Sequence, residues 1–205
     1  MKPLGGRPLL QWVVDAARES GVVDRIVVST DDDEIADVAR TVGAEVPFMR
    51  PAELATDTAS SIDVVSHALE TLDAELVLLL QPTEPFVQPA QIRDALALLH
   101  EREADSAITV VEVPRNFHPF HVRTNDGWLE FADEEAHYAH PTRQLDPPRW
   151  AFANLYWFRA EAFLRERRIE CGRRVGLPVD PLTAVDLNTP ADWVVAEGLV
   201  AAGLV

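Results

Sequence analysis

Polar side chains able to bind or react recur in this chain where an apolar run gives way to a loop. Arg50 stands before Pro51, in a loop rich in Thr and Ser that leads to Ser61. A fixed guanidinium and a hydroxyl can together read a nucleobase or a ribose. The same Arg could equally be paired with Glu53 or Asp57, and Thr58 and Ala59 could serve only as helix-capping sequence. Gln81 closes the run Leu76–Leu80. Its amide can donate and accept toward hydroxyls or an N-acyl group, or satisfy backbone groups at a strand end. Arg143, next to Gln144, can clamp a carboxylate with two hydrogen bonds or sit in a surface ion pair. Tyr156 offers a phenol, or a core aromatic with its hydroxyl satisfied. Asp186 and Thr189 read as the start of a last helix, with Asp192 adding favourably to its N-terminus. Asp31, Asp32 and Asp33 read as a cap and a charged first turn rather than as catalytic acids. The six histidines show no metal-ligand spacing. His118, His121, His137 and His140 are expected on a polar surface.

The elements that must hold these side chains follow from periodicity. Pro8 suits a helix start, with Leu9, Leu10, Val13, Val14 and Ala17 on the core face. Arg25–Ser29 reads as a buried strand that turns over Thr30-Asp31-Asp32 into a helix. That helix carries Ile35, Val38, Ala39 and Val42 on one face, and Gly43 stops it. A short extended piece, Glu45–Phe48, precedes the Arg50 loop and an amphipathic helix with Ile62, Val65 and Leu69. Leu76–Leu80 is wholly apolar and reads as an interior, parallel strand. Pro89 starts a helix with Ile92, Leu96 and Leu99 inward, and Ala107–Val113 is the next strand. Residues 151 to 158 return as a strand, followed by a helix over about 160–168, an extended Arg173–Leu177 and a helix from Pro190. This alternation predicts one α/β domain over residues 1–205, a three-layer, mostly parallel Rossmann-like sheet. In such sheets ligands bind in crevices at the carboxyl ends of strands, where the polar residues above gather. Residues 114–150 break the pattern and read as an inserted subdomain. Asn125-Asp126-Gly127 would turn a hairpin between His121–Thr124 and Trp128–Phe131. Phe117, Phe120, Trp128, Phe131 and Trp150 fall in or beside it, as aromatics do at interfaces.

Composition narrows the function. A formal net charge of −16 over 205 residues argues against nonspecific binding to nucleic acid or an anionic membrane. An anionic substrate would depend on local Arg residues, backbone amides or a metal. Lys2 is the only lysine, so no lysine-centred phosphate loop can be built. Cys171 stands alone, which excludes an intrachain disulfide and suggests an inert thiol. No signal peptide and no run of about 20 apolar residues is present, which predicts a cytoplasmic protein.

The segments VSTDDDEIADVA, GAEVPFMRPAELATDTASS and HALE, up to Glu70, resemble the acylneuraminate cytidylyltransferase family. Leu79-Leu80-Gln81-Pro82-Thr83-Glu84-Pro85 resembles its LLQPTSPLR segment, and Val185-Asp186-Leu187-Asn188 with Asp192 its C-terminal acidic motif. With Pro3 to Leu10, the likeness runs nearly end to end. It implies transfer of CMP from CTP to the anomeric hydroxyl of a 2-keto sugar acid, sialic acid or a related nonulosonate, releasing pyrophosphate. It also implies a homodimer, with the insertion supplying the dimer contact and a sugar-side lid. By resemblance, Arg50, Ala59 and Ser61 contact the nucleotide, and Gln81, Arg143 and Tyr156 the sugar acid. Asp186 would hold Mg2+ or help deprotonate the hydroxyl. The family's second metal acid is Asn188 here, and an amide oxygen brings no charge, so weaker metal binding is expected. Glu84 replaces a common Ser, Val87 a common Arg, and Phe152-Ala153 a common Asn-Gly. Family members start with a strand and a glycine-rich loop ending in Lys-Asn, just before the position of Met1. The expectation for the sequence as written is poor turnover of CTP. The alternative is a non-catalytic or truncated member acting as a sugar-binding or dimeric partner protein.

Overall fold

A computed structural model describes residues 3–56, 58–125 and 128–205. The chain opens with a two-residue ribbon, β1 (Pro3–Leu4) against β2 (Arg7–Pro8), and enters α1 (Leu9–Ser20). Asp32 caps α2 (Asp33–Thr41) by accepting from the Ile35 amide at 3.0 Å, as the acidic run predicts. Ser60, not Thr58 or Ala59, caps α3 (Ser61–Thr71), accepting from the Ile62 amide at 3.1 Å. There follow β3 (Leu76–Leu79), α4 (Pro89–Glu101), β4 (Ser106–Glu112), β5 (Arg123–Asn125), β6 (Leu129–Phe131) and α5 (Glu134–Ala139). Next come β7 (Trp150–Arg159), α6 (Ala160–Glu166), β8 (Arg174–Pro178) and α7 (Pro190–Ala202).

Among the described residues the central sheet has the order β3–β7–β4–β8. β7 runs antiparallel to both β3 and β4, while β4 and β8 are parallel. Three of these strands therefore point the same way, as expected, and β7 enters against them. Two sequence expectations need correction. Leu76–Leu79 is an edge strand with half-buried side chains rather than an interior one. Arg25–Ser29 shortens to a parallel bridge between Val27 and Glu45, whose segment bends at Phe48 before the Arg50 amide meets the Thr30 carbonyl at 2.8 Å.

Three layers result. On one face α1, α2 and α4 bury Val13, Val14, Ala39, Ile92 and Leu99 against Leu155 and Trp157 of β7. On the other, α3 and α6 bury Val65, Ala162 and Phe163 against Phe158, with Tyr156 partly buried beside them. A third cluster, Leu4, Phe86, Leu187 and Ala196, seats α7 at the end of the domain. The inserted hairpin pairs antiparallel, Arg123 opposite Phe131 and Asn125 opposite Leu129. Asp126 and Gly127, expected at its turn, lie outside the described residues. No helix among the described residues is long and apolar enough to cross a membrane.

Candidate active site

Residues at the carboxyl end of β3 and in the approach to α7 meet around one carboxyl group, that of Glu84. The turn Gln81–Glu84 is closed by the Glu84 amide on the Gln81 carbonyl, 3.0 Å. Pro85, Phe86 and Val87 then run inward. Burying Phe86 against Trp12, with ring centroids 5.7 Å apart, draws Glu84 down until only 3% of it is exposed. The Gln81 side-chain amide donates to Glu84 Oε2 at 3.3 Å. Desolvation, and next the charge of Asp186, push the Glu84 carboxyl up to about 8. It is therefore mostly protonated at neutral pH. A buried acid kept neutral near a second carboxyl group is a common arrangement for proton transfer. The Tyr156 hydroxyl is pushed up to about 12 by burial and then by Glu84 and Glu170, so it remains a neutral hydrogen-bonding group. Its ring stacks on Phe152 at 4.1 Å and 7°.

Asp186 owes its placement to alternation along an extended segment. Val185 and Leu187 point into the cluster beneath α7, leaving Asp186 and Asn188 on the other side. The Asn188 amide there donates to Asp186 Oδ2 at 2.6 Å. The Leu187 amide donates to the Thr83 carbonyl at 2.9 Å, which ties this segment to the Glu84 turn. Asp186 does not start the helix. Thr189 is the N-cap, and Asp192 accepts from the Thr189 hydroxyl at 2.8 Å and the Thr189 amide at 2.6 Å. Those bonds hold Asp192 below the usual carboxylate range, so its role is capping. Glu84, Asp186 and Asn188 present oxygen donors, which suits a hard divalent cation. Neither acid is ion-paired to Arg or His among the described residues, and no larger metal-type cluster occurs there.

The expected nucleotide residues form a second group. The Arg50 guanidinium donates to the Ser29 carbonyl and to the Leu54 carbonyl at 3.4 Å, and its backbone amide to the Thr30 carbonyl at 2.8 Å. No pair with Glu53 forms, and Asp57 lies outside the described residues. Arg50 Nε is buried without a partner. Ser61 is exposed at the first position of α3, and the half-buried Ala59 precedes the cap. Ile62, next to Ser61 on α3, and Tyr156 pack against the same core cluster. Arg143 joins neither. It sits in the insertion, lining a small cavity of about 20 Å3 with Arg115, His118 and Arg149.

The insertion overturns the expectation of surface histidines: His118 is 2% and His121 7% exposed. Asp146 satisfies His121, bonded to its Nε2 at 2.9 Å and to Arg115 at 2.7 Å, with His137 3.0 Å from the other His121 nitrogen, while His118 Nε2 meets the Pro147 carbonyl at 3.0 Å. Sequence reasoning saw Glu84 only as a departure from a family pattern. The available signal was an acid followed directly by Pro-Phe-Val, a run that must be buried.

Residues 1–165 match the Cytidylyltransferase family. The chain belongs to that family. It is an enzyme, a transferase of cytidylyl groups. It is 32% identical over 211 residues to the CMP-N,N'-diacetyllegionaminic acid synthase of Legionella pneumophila, covering 96% of this chain and 87% of that one. It is 28% identical to N-acylneuraminate cytidylyltransferase A of Danio rerio, covering 96% of this chain and 46% of that one. Its fold is similar to that of a CMP:2-keto-3-deoxy-manno-octonic acid synthetase complexed with CTP. The TM-score is 0.70 at 17% identity, over 98% of this chain and 91% of the other.

Proposed function

We propose that this cytidylyltransferase activates a nonulosonate-type 2-keto sugar acid with CTP. The anomeric oxygen attacks the α-phosphorus, the α–β phosphoanhydride bond breaks, and CMP-sugar and pyrophosphate leave. The observation that carries this reading is the tie between the Asp186 segment and the Glu84 turn, made by the Leu187 amide on the Thr83 carbonyl at 2.9 Å, at the sheet end that bears Gln81 and Tyr156. Similarity to catalysts over nearly the whole chain favours it over a non-catalytic partner protein. Arg50 and Ser61 would orient the nucleotide, and the Gln81 amide and Tyr156 hydroxyl the acceptor. The Asp186 carboxylate would take the proton from the attacking hydroxyl, with Glu84 as a neutral hydrogen-bond donor beside it. Asp186 and Asn188 would hold Mg2+, which when bound neutralises the charge of the triphosphate. Arg143 lies apart from this cluster, and its part in binding a carboxylate would be played from the insertion. The test is pyrophosphate release from CTP with a panel of 2-keto sugar acids, with and without Mg2+. Acceptor-dependent and Mg2+-dependent release is expected; release with none of the acids would overturn the reading.

The insertion would join two copies of the chain. It exposes Phe117 by 71%, Trp128 by 80%, Leu129 by 69% and Tyr138 by 67%, an apolar surface suited to a homodimer. A dimer in sedimentation, lost on Phe117→Ser with Leu129→Ser, is the expected result. A wild-type monomer at micromolar concentration would exclude it. Use of CTP as a substrate supports a cytoplasmic location.

A further inference from the structure

The ladder between β4 and β7 has an irregularity. Ile108 faces Tyr156 and Val110 faces Phe152, so Thr109 alone stands opposite Ala153, Asn154 and Leu155. Surplus residues in a bulge leave backbone amides without ladder partners. Here the Thr109 hydroxyl accepts from the amides of Asn154 and Leu155, both at 3.1 Å, and donates to Asn154 Oδ1 at 2.9 Å. The bulge thereby turns the Asn154 side chain away from the ladder, where Nδ2 donates to the Thr183 carbonyl at 2.8 Å and to Gln91 Oε1 at 3.1 Å. Gln91 Nε2 in turn donates to the Thr183 hydroxyl at 2.7 Å. Exposure is 0% for Thr109, 1% for Asn154, 8% for Thr183 and 9% for Gln91. Every polar atom of the Asn154 side chain is used.

Thr183 lies in the short 3-10 turn Pro181–Ala184, immediately before the segment that bears Asp186. That segment is held at two places: Thr183 by Asn154 and Gln91, and Leu187 by the Thr83 carbonyl. Asp186 lies between them. We propose that Asn154 is a positioning residue for the reaction, using the bulge of β7 to set the Asp186 carboxylate against the Glu84 turn. The amide is required for its two donors, because both partners on that side are acceptor oxygens. An aspartate there would place a carboxylate against the Thr183 carbonyl and Gln91 Oε1, and an alanine would leave the buried Thr183 carbonyl unpartnered.

The experiment compares wild type with Asn154→Ala and Asn154→Asp, read by hydrogen exchange and by steady-state kinetics below melting. Leu99→Ala, a cavity between α4 and the sheet far from the network, serves as a control for lost stability. Faster exchange confined to residues 181–188, with protection kept in β3 and β4, is expected. So is a kcat about 10–100-fold lower, with KM for CTP within about twofold. Leu99→Ala should lower the melting temperature without either change. Should the two Asn154 variants precipitate, Asn154→Ser, which keeps a hydroxyl toward Thr109 and has no amide for Thr183, is judged by the same two readings. Unchanged exchange over 181–188, or a kcat that merely follows melting temperature as in Leu99→Ala, overturns the proposal. The kinetic arm rests on the proposed function and the exchange arm does not. An inactive wild type would sink that function while exchange alone still decides the role of Asn154.

Discussion

Two acidic centres in this molecule are built on opposite principles. Asp146, in the insertion, is surrounded by partners: burial opposes its charge, but His121 and Arg115 overcome that and hold it below the usual carboxylate range. Glu84, at the sheet end, has a like charge in Asp186 for a neighbour and a single amide bond, and burial pushes it up to about 8. The insertion has settled its electrostatics internally, as a structural joint does. The sheet end has not, and a site left out of balance is one where a substrate or cation supplies the missing term. Arg50 is the cationic counterpart, bonded to carbonyls but, among the described residues, to no acid.

The strongest way to break this contrast is to remove Asp186. Asp186→Ala should lower kcat for pyrophosphate release by about 10²–10³-fold, in the range typical for the loss of one transition-state contact. It should also bring the Glu84 carboxyl down toward its ordinary range, observable by carboxyl-selective NMR titration. A loss below about tenfold would put the chemistry elsewhere. Arg50→Ala should mainly raise KM for CTP, by about tenfold, the equivalent of ~1.4 kcal/mol. A fall in kcat alone would move Arg50 out of nucleotide binding.

pH sharpens the contrast. The folded chain keeps the Glu84 proton up to about pH 8, whereas the unfolded chain loses it in the ordinary carboxyl range. Between those two values the folded state binds more protons, so stability falls as pH rises. Glu84→Gln should remove that alkaline slope in melting temperature. Asp146 has the opposite sign, its contribution present at neutral pH and lost as pH falls below the ordinary carboxylate range. Asp146→Asn should flatten the acid limb and lower melting temperature at pH 7. Its effect on kcat/KM is expected to be the smallest of all, within about threefold where the chain is folded. A larger loss would make the insertion part of the reacting centre.

Much of this site was legible along the chain because its residues lie at element ends that periodicity marks. Gln81 follows an apolar run and lies just beyond β3, and Asp186 precedes a Thr-Pro helix start whose cap is Thr189. Glu84 was legible only as an oddity, since nothing local says that Phe86 will pull it under. The buried histidines were misjudged because Asp146 approaches His121 from 25 positions away. Asn154 was invisible: a bulge is set by pairing with β4, and its partners Gln91 and Thr183 stand 63 and 29 positions distant.

By itself the sequence determined the three-layer α/β class, the positions of the helices and most strands, and the two groups of candidate binding residues. Those depend on spacing, capping and turn chemistry, which act over a few residues. The tertiary structure alone decided that β7 enters antiparallel between β3 and β4, that Leu76–Leu79 lies at an edge, and that Glu84 meets Asp186. Strand direction and the protonation of a buried acid are set by which distant segments exclude water together, and that is a property of the assembled layers.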